Sequence, residues 1–195
     1  LNINMLFCIG GDGTLRAARD IAEEAERRQL KISVIGVPKT IDNDLAFIGR
    51  SFGFETAVYA TGAVITAAHV EAKGAHNGIG LVKLMGRDSG FIAAGAAVAS
   101  QEVNFVLVPE IPLRLDGPKG FLAALHRRMV ERHHAVVVVA EGAGQDLLEQ
   151  ETGRDKSGNR LKADIGVFLR DRIAAYFKEK GTEVGLKYID PSYVI

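Results

Sequence analysis

Met5-Leu6-Phe7-Cys8-Ile9-Gly10-Gly11-Asp12-Gly13-Thr14 is the stretch that decides the fold class. A short continuous apolar run gives way to glycines, after which Leu15, Ala18, Ile21 or Ala22, and Ala25 recur at helical spacing up to Arg28. That order predicts strand, glycine turn and helix. The next apolar run, Ile32 to Val37, predicts a second strand, expected to end at Pro38, which has no N–H for a ladder. Together they make a βαβ unit with parallel strands and a right-handed crossover. Both polar loops, Gly10 to Thr14 and Lys39 to Asp44, then leave the same edge of the sheet, the edge where open α/β sheets bind ligands.

Strands and helices keep alternating along the chain. Phe54 to Ala72 predicts a helix with Phe54, Val58, Ile65 and Ala68 on one side and a stop near Gly74. Ile79 to Met85 reads as a strand, followed by the turn Gly86-Arg87-Asp88-Ser89-Gly90 and a small-residue helix from Phe91 to Ser100. Phe105 to Val108 is a strand, Pro118 to His133 a helix with proline in its first turn, and Ala135 to Ala140 a strand closed by Glu141-Gly142. Gly142 to Asn159 reads as loop with one helical turn from Asp146 to Gln150. Asp164 is expected to cap a last helix that buries Ile165, Phe168, Leu169, Ile173 and Phe177, and Glu183 to Ile189 is the last strand. The fold class is therefore α/β, with layered, largely parallel sheets and helices on both faces. A boundary between two lobes is placed near Ile48 to Ser51, dividing residues 1–50 from residues 51–195.

Composition narrows the function. Apolar residues make up 47 % of 195 residues, charged residues 25 %, and the formal net charge is zero, so neither disorder nor a nucleic-acid partner is expected. The longest nearly uncharged segment, Phe91 to Ser100, is far shorter than the roughly 20 apolar residues of a membrane span. The lone cysteine, Cys8, sits in an apolar run as a small buried hydrophobe, which suits a reducing cytoplasm. The chain starts at Leu1, enters a strand within a few residues and stops at Tyr193-Val194-Ile195 without a polar tail, so it is expected to be an internal segment of something longer, with sheet edges and apolar faces left open.

Each polar loop admits two readings. Gly10 to Thr14 either cradles phosphate at a helix start, with Asp12 holding a magnesium ion, or is a tight turn with Asp12 as a local cap. In an extended chain Asp42 and Asp44 point the same way with Asn43 turned aside. The pair then suits one metal ion, or a general base beside a metal holder, or a solvated turn. Arg87 either grips an anionic or hydroxylated ligand or is exposed on a capping turn. Glu141 shares the edge if its strand is parallel, and is otherwise a solvated carboxylate. The five histidines show no metal spacing and are read as structural.

Taken in order, Gly10-Gly11-Asp12-Gly13-Thr14, Pro38-Lys39-Thr40-Ile41-Asp42-Asn43-Asp44, Met85-Gly86-Arg87 and Ala140-Glu141-Gly142 closely resemble the 6-phosphofructokinase family. The resemblance implies a phosphofructokinase-like fold in which residues 1–50 are part of the nucleotide-binding and catalytic lobe and residues 51–195 are the second lobe. It implies glycolytic phosphoryl transfer from ATP to the C1 hydroxyl of fructose 6-phosphate. Asp42 matches the family's proton acceptor and Thr40 the residue bonded to the transferring phosphoryl group. Gly11, Asp12, Gly13 and Thr14 match the nucleotide loop, with Asp12 associated with Mg2+ and Asp44 helping the metal. Thr40, Ile41, Asp42, Met85, Gly86, Arg87, Glu141 and Tyr193 match substrate contacts. The family's protein is longer at both ends and is a homo-oligomer; Glu110 lies where bacterial members bind an allosteric effector.

Donor choice rests on Gly13 and Lys39. Pyrophosphate-using members typically carry an aspartate at the first position and a lysine at the second. The glycine and lysine pair resembles the ATP-dependent branch of plants and kinetoplastids, with a pyrophosphate-dependent enzyme as the alternative. The glycine loop also resembles that of NAD and lipid kinases, but these do not carry Thr40-Ile41-Asp42-Asn43-Asp44 followed by Met85-Gly86-Arg87. A non-catalytic module that binds ligand or assembles with partner subunits is the remaining reading.

Overall fold

The computed structural model describes residues 3–148, 153, 162–193 and 195. It is an α/β structure built on two parallel sheets. In the first, β1 (Met5–Gly10) and β2 (Ser33–Thr40) are joined by helix α1 (Asp12–Arg27), and a two-residue strand β3 (Phe52–Gly53) adds to β2. The second sheet has the order β5 (Phe105–Leu107), β6 (His134–Ala140), β4 (Gly78–Leu84), β7 (Gly185–Ile189). Helices α2 (Phe54–Gly74) and α3 (Phe91–Ser100) contribute Ala57, Ile65, Ala68, Ile92, Ala93 and Ala96 to the core on one face of that sheet. Helices α4 (Phe121–Arg132) and α5 (Ile165–Glu179) close the other with Leu122, Leu125, Met129, Leu169, Ile173 and Phe177. Covered on both faces, β6 reads as a continuous apolar run, and Val136 to Val139 are fully buried.

Three expectations are corrected. β2 does not stop at Pro38 but runs through it to Thr40. Pro38 sits where β1 ends, opposite Gly10, and before β3 begins opposite Lys39, so its missing N–H costs the ladder little. Helix α4 begins at Phe121 rather than at Pro118. Its start is set by Gly120, where a Cβ would lie 2.4 Å from the Asp116 carbonyl oxygen. Helix α1 begins at Asp12, so Gly13 and Thr14 lie in its first turn rather than in a loop. The cap of α5 is as expected, with Asp164 accepting from Gly166 N and Val167 N. Of the loop expected over 142–159, residues 149–152 and 154–159 lie outside the described residues, as does the end of the turn expected at 146–150; a single 3-10 turn forms at Gln145–Leu147.

Helix α1 covers only one face of the first sheet, packing so closely that a Cβ on Gly36 would meet Leu15 Cδ2 at 2.8 Å. On the other face Ile3, Met5, Phe7 and Ile9 are each more than half exposed, with Ile35 beside them. Cys8, on the covered side, is half-buried. An apolar sheet face and edge this open are expected to make the 195-residue chain self-associate. Size-exclusion chromatography checks this, and a well-behaved monomer over a wide concentration range would contradict it. Among the described residues no helix is long and apolar enough to cross a membrane.

Candidate active site

Parallel pairing sets the carboxyl ends of β4 and β6 side by side, and contacts of Arg87 and Ser89 with Asp42 join their loops to the one that follows β2. β6 runs parallel to β4, with Ala140 opposite Leu84, so Glu141 leaves the same edge as Met85-Gly86-Arg87. β1 and β2 end together, and a Cβ on Gly11 would lie 3.5 Å from Thr40 Cβ, so the glycine turn rests against the acidic loop.

The acidic loop is not extended. Asn43 adopts a left-handed conformation, φ 54°, which breaks the expected alternation of Asp42 and Asp44. Asn43 turns inward and is buried, while Asp44 is exposed. The amide of Asn43 holds the loop from inside: Oδ1 accepts from Ser51 N at 2.8 Å, and Nδ2 donates to the Gly49 carbonyl at 3.4 Å. The buried Ser51 hydroxyl donates to the Thr40 carbonyl at 2.7 Å. This closes the stretch from Thr40 to Ser51 into a tied loop and leaves the Asp42 carboxylate 14 % exposed.

Asp42 is the meeting point. Its Oδ2 accepts from Thr40 Oγ1 at 3.2 Å and lies 3.5 Å from Arg87 Nε. The second contact is an ion pair rather than a tight hydrogen bond. Ser89 Oγ lies 2.8 Å from the Asp42 carbonyl and 2.9 Å from that of Gly86, its one proton shared between them, and so couples the acidic loop to the Gly86-Arg87-Asp88 turn. Burial pushes the Asp42 carboxyl above its usual range, with Asp44 adding to the shift. Thr40 and Arg87 pull the other way without cancelling it, and Glu141 pushes it further up.

The arginine turn is locked by its backbone. Gly86 has φ 139° and Arg87 φ 53°, and Arg87 N donates to Glu141 Oε1 at 2.7 Å. Gly142 packs against the turn so closely that a Cβ there would stand 2.1 Å from the Arg87 carbonyl oxygen. Glu141 thus holds the turn through one oxygen of its carboxylate. At α1, Gly11 supplies no side-chain cap for the first N–H groups, and the exposed Asp12 carboxylate is ion-paired with Arg16 one turn on. Gly13 has nothing within 4 Å of where a Cβ would stand.

A tied loop presenting one partly desolvated carboxylate beside a hydroxyl, a guanidinium and a glycine-opened helix start is suited to moving a proton from an alcohol next to phosphate. Residues 1–189 match the family described as phosphofructokinase. The chain belongs to that family.

Among similar proteins, the ATP-dependent 6-phosphofructokinase of Borreliella burgdorferi is 54 % identical, spanning 100 % of this chain and 45 % of that protein. The ATP-dependent 6-phosphofructokinase 7 of Arabidopsis thaliana is 50 % identical, spanning 99 % and 40 %. The chain therefore spans less than half the length of these curated relatives. A crystal structure of pyrophosphate-dependent phosphofructokinase from Marinobacter aquaeolei superimposes with a TM-score of 0.71 at 25 % identity, covering 99 % of this chain and 46 % of that one.

Within this phosphofructokinase chain the residues expected from sequence are not all gathered in one place. Thr40, Asp42, Arg87 and Glu141 are linked by the contacts above, with Met85 and Gly86 in the same turn and Ile41 packed on the core beneath. Gly11, Asp12, Gly13 and Thr14 form the adjoining helix start, and Lys39 is exposed at the end of β2. Tyr193 is fully exposed in the tail. Glu110 caps α3, accepting from Gly90 N at 2.8 Å. Asn43, Ser51 and Ser89 were not singled out by sequence. All three are buried polar residues, and the contacts that tie the loops together, Ser51 to Asn43 and Ser89 to Asp42, join positions 8 and 47 apart, which no local pattern signals.

Proposed function

We propose that these residues carry phosphoryl transfer from ATP to the C1 hydroxyl of fructose 6-phosphate in a full-length 6-phosphofructokinase. The observation that carries the reading is the Asp42 carboxylate, desolvated by its own loop, with its proton affinity raised and Thr40 and Arg87 beside it. In this scheme Asp42 takes the C1 hydroxyl proton as that oxygen attacks the γ-phosphorus. The new O–P bond forms as the bond to the β-phosphate bridging oxygen breaks, and ADP leaves with the electron pair. Thr40 Oγ1 hydrogen-bonds the transferring group, and Met85, Gly86, Arg87, Glu141 and Tyr193 hold the sugar phosphate. Residues 1–50 serve the donor side and residues 51–195 the acceptor side.

The donor loop fits a metal only in a restricted sense. Among the described residues no group of three or more His, Cys, Asp or Glu could hold an ion by itself, while Asp12 offers one exposed carboxylate at a helix start that has no side-chain cap. That suits Mg2+ kept mostly by phosphate oxygens and water. Bound there, it would neutralise charge on the phosphates; Asp12 and Asp44 are the residues that would hold it. ATP is favoured over pyrophosphate because Gly13 leaves open space at the helix start and the relatives near half identity are named ATP-dependent. The single thiol, Cys8, suits a reducing cytoplasm, and the open apolar face of the first sheet suits a larger, oligomeric protein.

A coupled assay on the full-length protein, offering fructose 6-phosphate with ATP and with pyrophosphate in turn, tests the reading. Transfer from ATP is expected. Transfer from pyrophosphate alone would move the protein to the alternative donor, and transfer from neither would leave a ligand-binding module in place of an enzyme.

A further inference from the structure

Lys83 is a cation on a strand of apolar neighbours. It lies in β4 between the buried Val82 and Leu84 and is itself 14 % exposed. Its Nζ stands 3.1 Å from Asp164 Oδ2 and 2.8 Å from Asp190 Oδ2. The phenol of Tyr188, on β7, donates to Asp164 Oδ1 at 3.1 Å. It reaches that oxygen by lying over Gly166, where a Cβ would meet the ring at 2.3 Å. Burial works against the charge on Lys83, but the bonds it donates to Asp190 and Asp164 outweigh it and hold the ammonium protonated above its usual range. Burial keeps the Tyr188 phenol a donor, pushed up to about 12.

A part-buried ion cluster of this kind contributes little net stability compared with apolar packing. Its effect here is geometric, because each carboxylate has a second task. Asp164 caps α5 through Oδ1. Just ahead of it, Lys162 is ion-paired with Asp88 in the arginine turn, and Gln145 Nε2 bridges the Ala163 carbonyl, 3.0 Å away, and the Glu141 carbonyl, 2.7 Å away. Asp190 accepts from Ser192 N at 3.1 Å and from the Ser192 hydroxyl, which folds the tail into a turn with Pro191 buried. Beyond that turn Ile195 packs on the same core cluster as Ile41, Leu84 and Ala140.

We infer that Lys83 is a positioning residue for the acceptor side of the site: through Asp164 and Asp190 it sets the start of α5 and the Asp190–Tyr193 turn against the Met85-Gly86-Arg87 loop that leaves its own strand. The inference rests on the reading of this chain as a phosphofructokinase segment. It also predicts a one-sided effect, since all the tied elements flank the second sheet and the glycine turn belongs to the first.

Steady-state kinetics of the full-length protein separate this from a role in folding alone. In Lys83→Met and in the isosteric Asp190→Asn, KM for fructose 6-phosphate is expected to rise about tenfold or more while KM for ATP stays within about twofold, the size of effect that loss of support around a binding group produces. An unchanged KM for fructose 6-phosphate in Asp190→Asn, or an equal rise in both KM values, overturns the inference. If Lys83→Met does not fold, Asp190→Asn decides alone. Hydrogen exchange of residues 188–193 needs no substrate: it is expected to quicken in the variants. If it does not, the inference falls whether or not the wild type transfers phosphate, whereas a wild type that transfers none while exchange quickens counts against the enzymatic reading and not against the positioning.

Discussion

Asp42→Asn in the full-length protein is expected to lower kcat about a thousandfold, within the range that a positioned general base supplies, while leaving the fold intact. The amide has nearly the shape of the carboxylate and still accepts from Thr40, but it takes no proton from an attacking hydroxyl. The pH profile is a second measure of the same group. Because burial and Asp44 raise the Asp42 pKa, turnover at saturating substrate is expected to fall as pH drops through that raised value, at a pH above the ordinary aspartate range of about 4.

Stability should move in the opposite sense. A carboxyl whose folded pKa lies above its unfolded value binds its proton more tightly when folded. The native state therefore loses stability as pH rises from the unfolded pKa through the folded one, and the cost persists above it. Asp42→Asn removes that cost, so the variant is expected to melt above the wild type at pH 7, with the gap closing below about pH 4. Turnover within tenfold of wild type would remove Asp42 from the chemistry, and a variant that melts lower at neutral pH would show that Arg87 and Thr40 outweigh burial.

Gly13→Asp is expected to lower kcat/KM for ATP by about a hundredfold or more, since setting like charges together costs several kcal/mol. The structure makes this a clean test. A Cβ at Gly13 meets nothing within 4 Å, so the side chain has room, and an acid in the first turn of α1 is favourable to the helix. Melting temperature should hold while ATP use collapses, separating a donor effect from misfolding. The companion rate with pyrophosphate shows whether Lys39, exposed at the end of β2, then suffices for the smaller donor. Full ATP use by the variant would mean that Gly13 does not choose the donor.

How much was legible in the sequence follows from the range of the forces involved. Apolar periodicity is local, so the βαβ opening, the continuous apolar run of β6 and the buried stripe of α5 could be read residue by residue, and the Asp164 cap needed only the three residues after it. β3 could not: Phe52-Gly53 has no pattern of its own and is a strand only because Lys39 and Thr40 lie beside it. Pro38 stays inside β2 for the same reason, since whether a missing N–H matters depends on which neighbour faces it.

Short segments carry in themselves the alternation of strands and helices, the two polar loops at strand ends, and the residue types available for phosphate chemistry, because spacing and hydrogen-bonding capacity are local. Only the tertiary structure settles which of the two carboxylates loses its water. Asp42 and Asp44 are chemically alike and two residues apart. The left-handed turn at Asn43, tied down by Ser51 and Gly49, buries the first beside Thr40 and Arg87 and leaves the second in water. The same holds for Lys83, an ordinary strand lysine by sequence, which meets Asp164 and Asp190 only because β4, β7 and the start of α5 converge. Desolvation and ion pairing depend on what surrounds a group in space, and that is set by contacts between segments far apart in the chain.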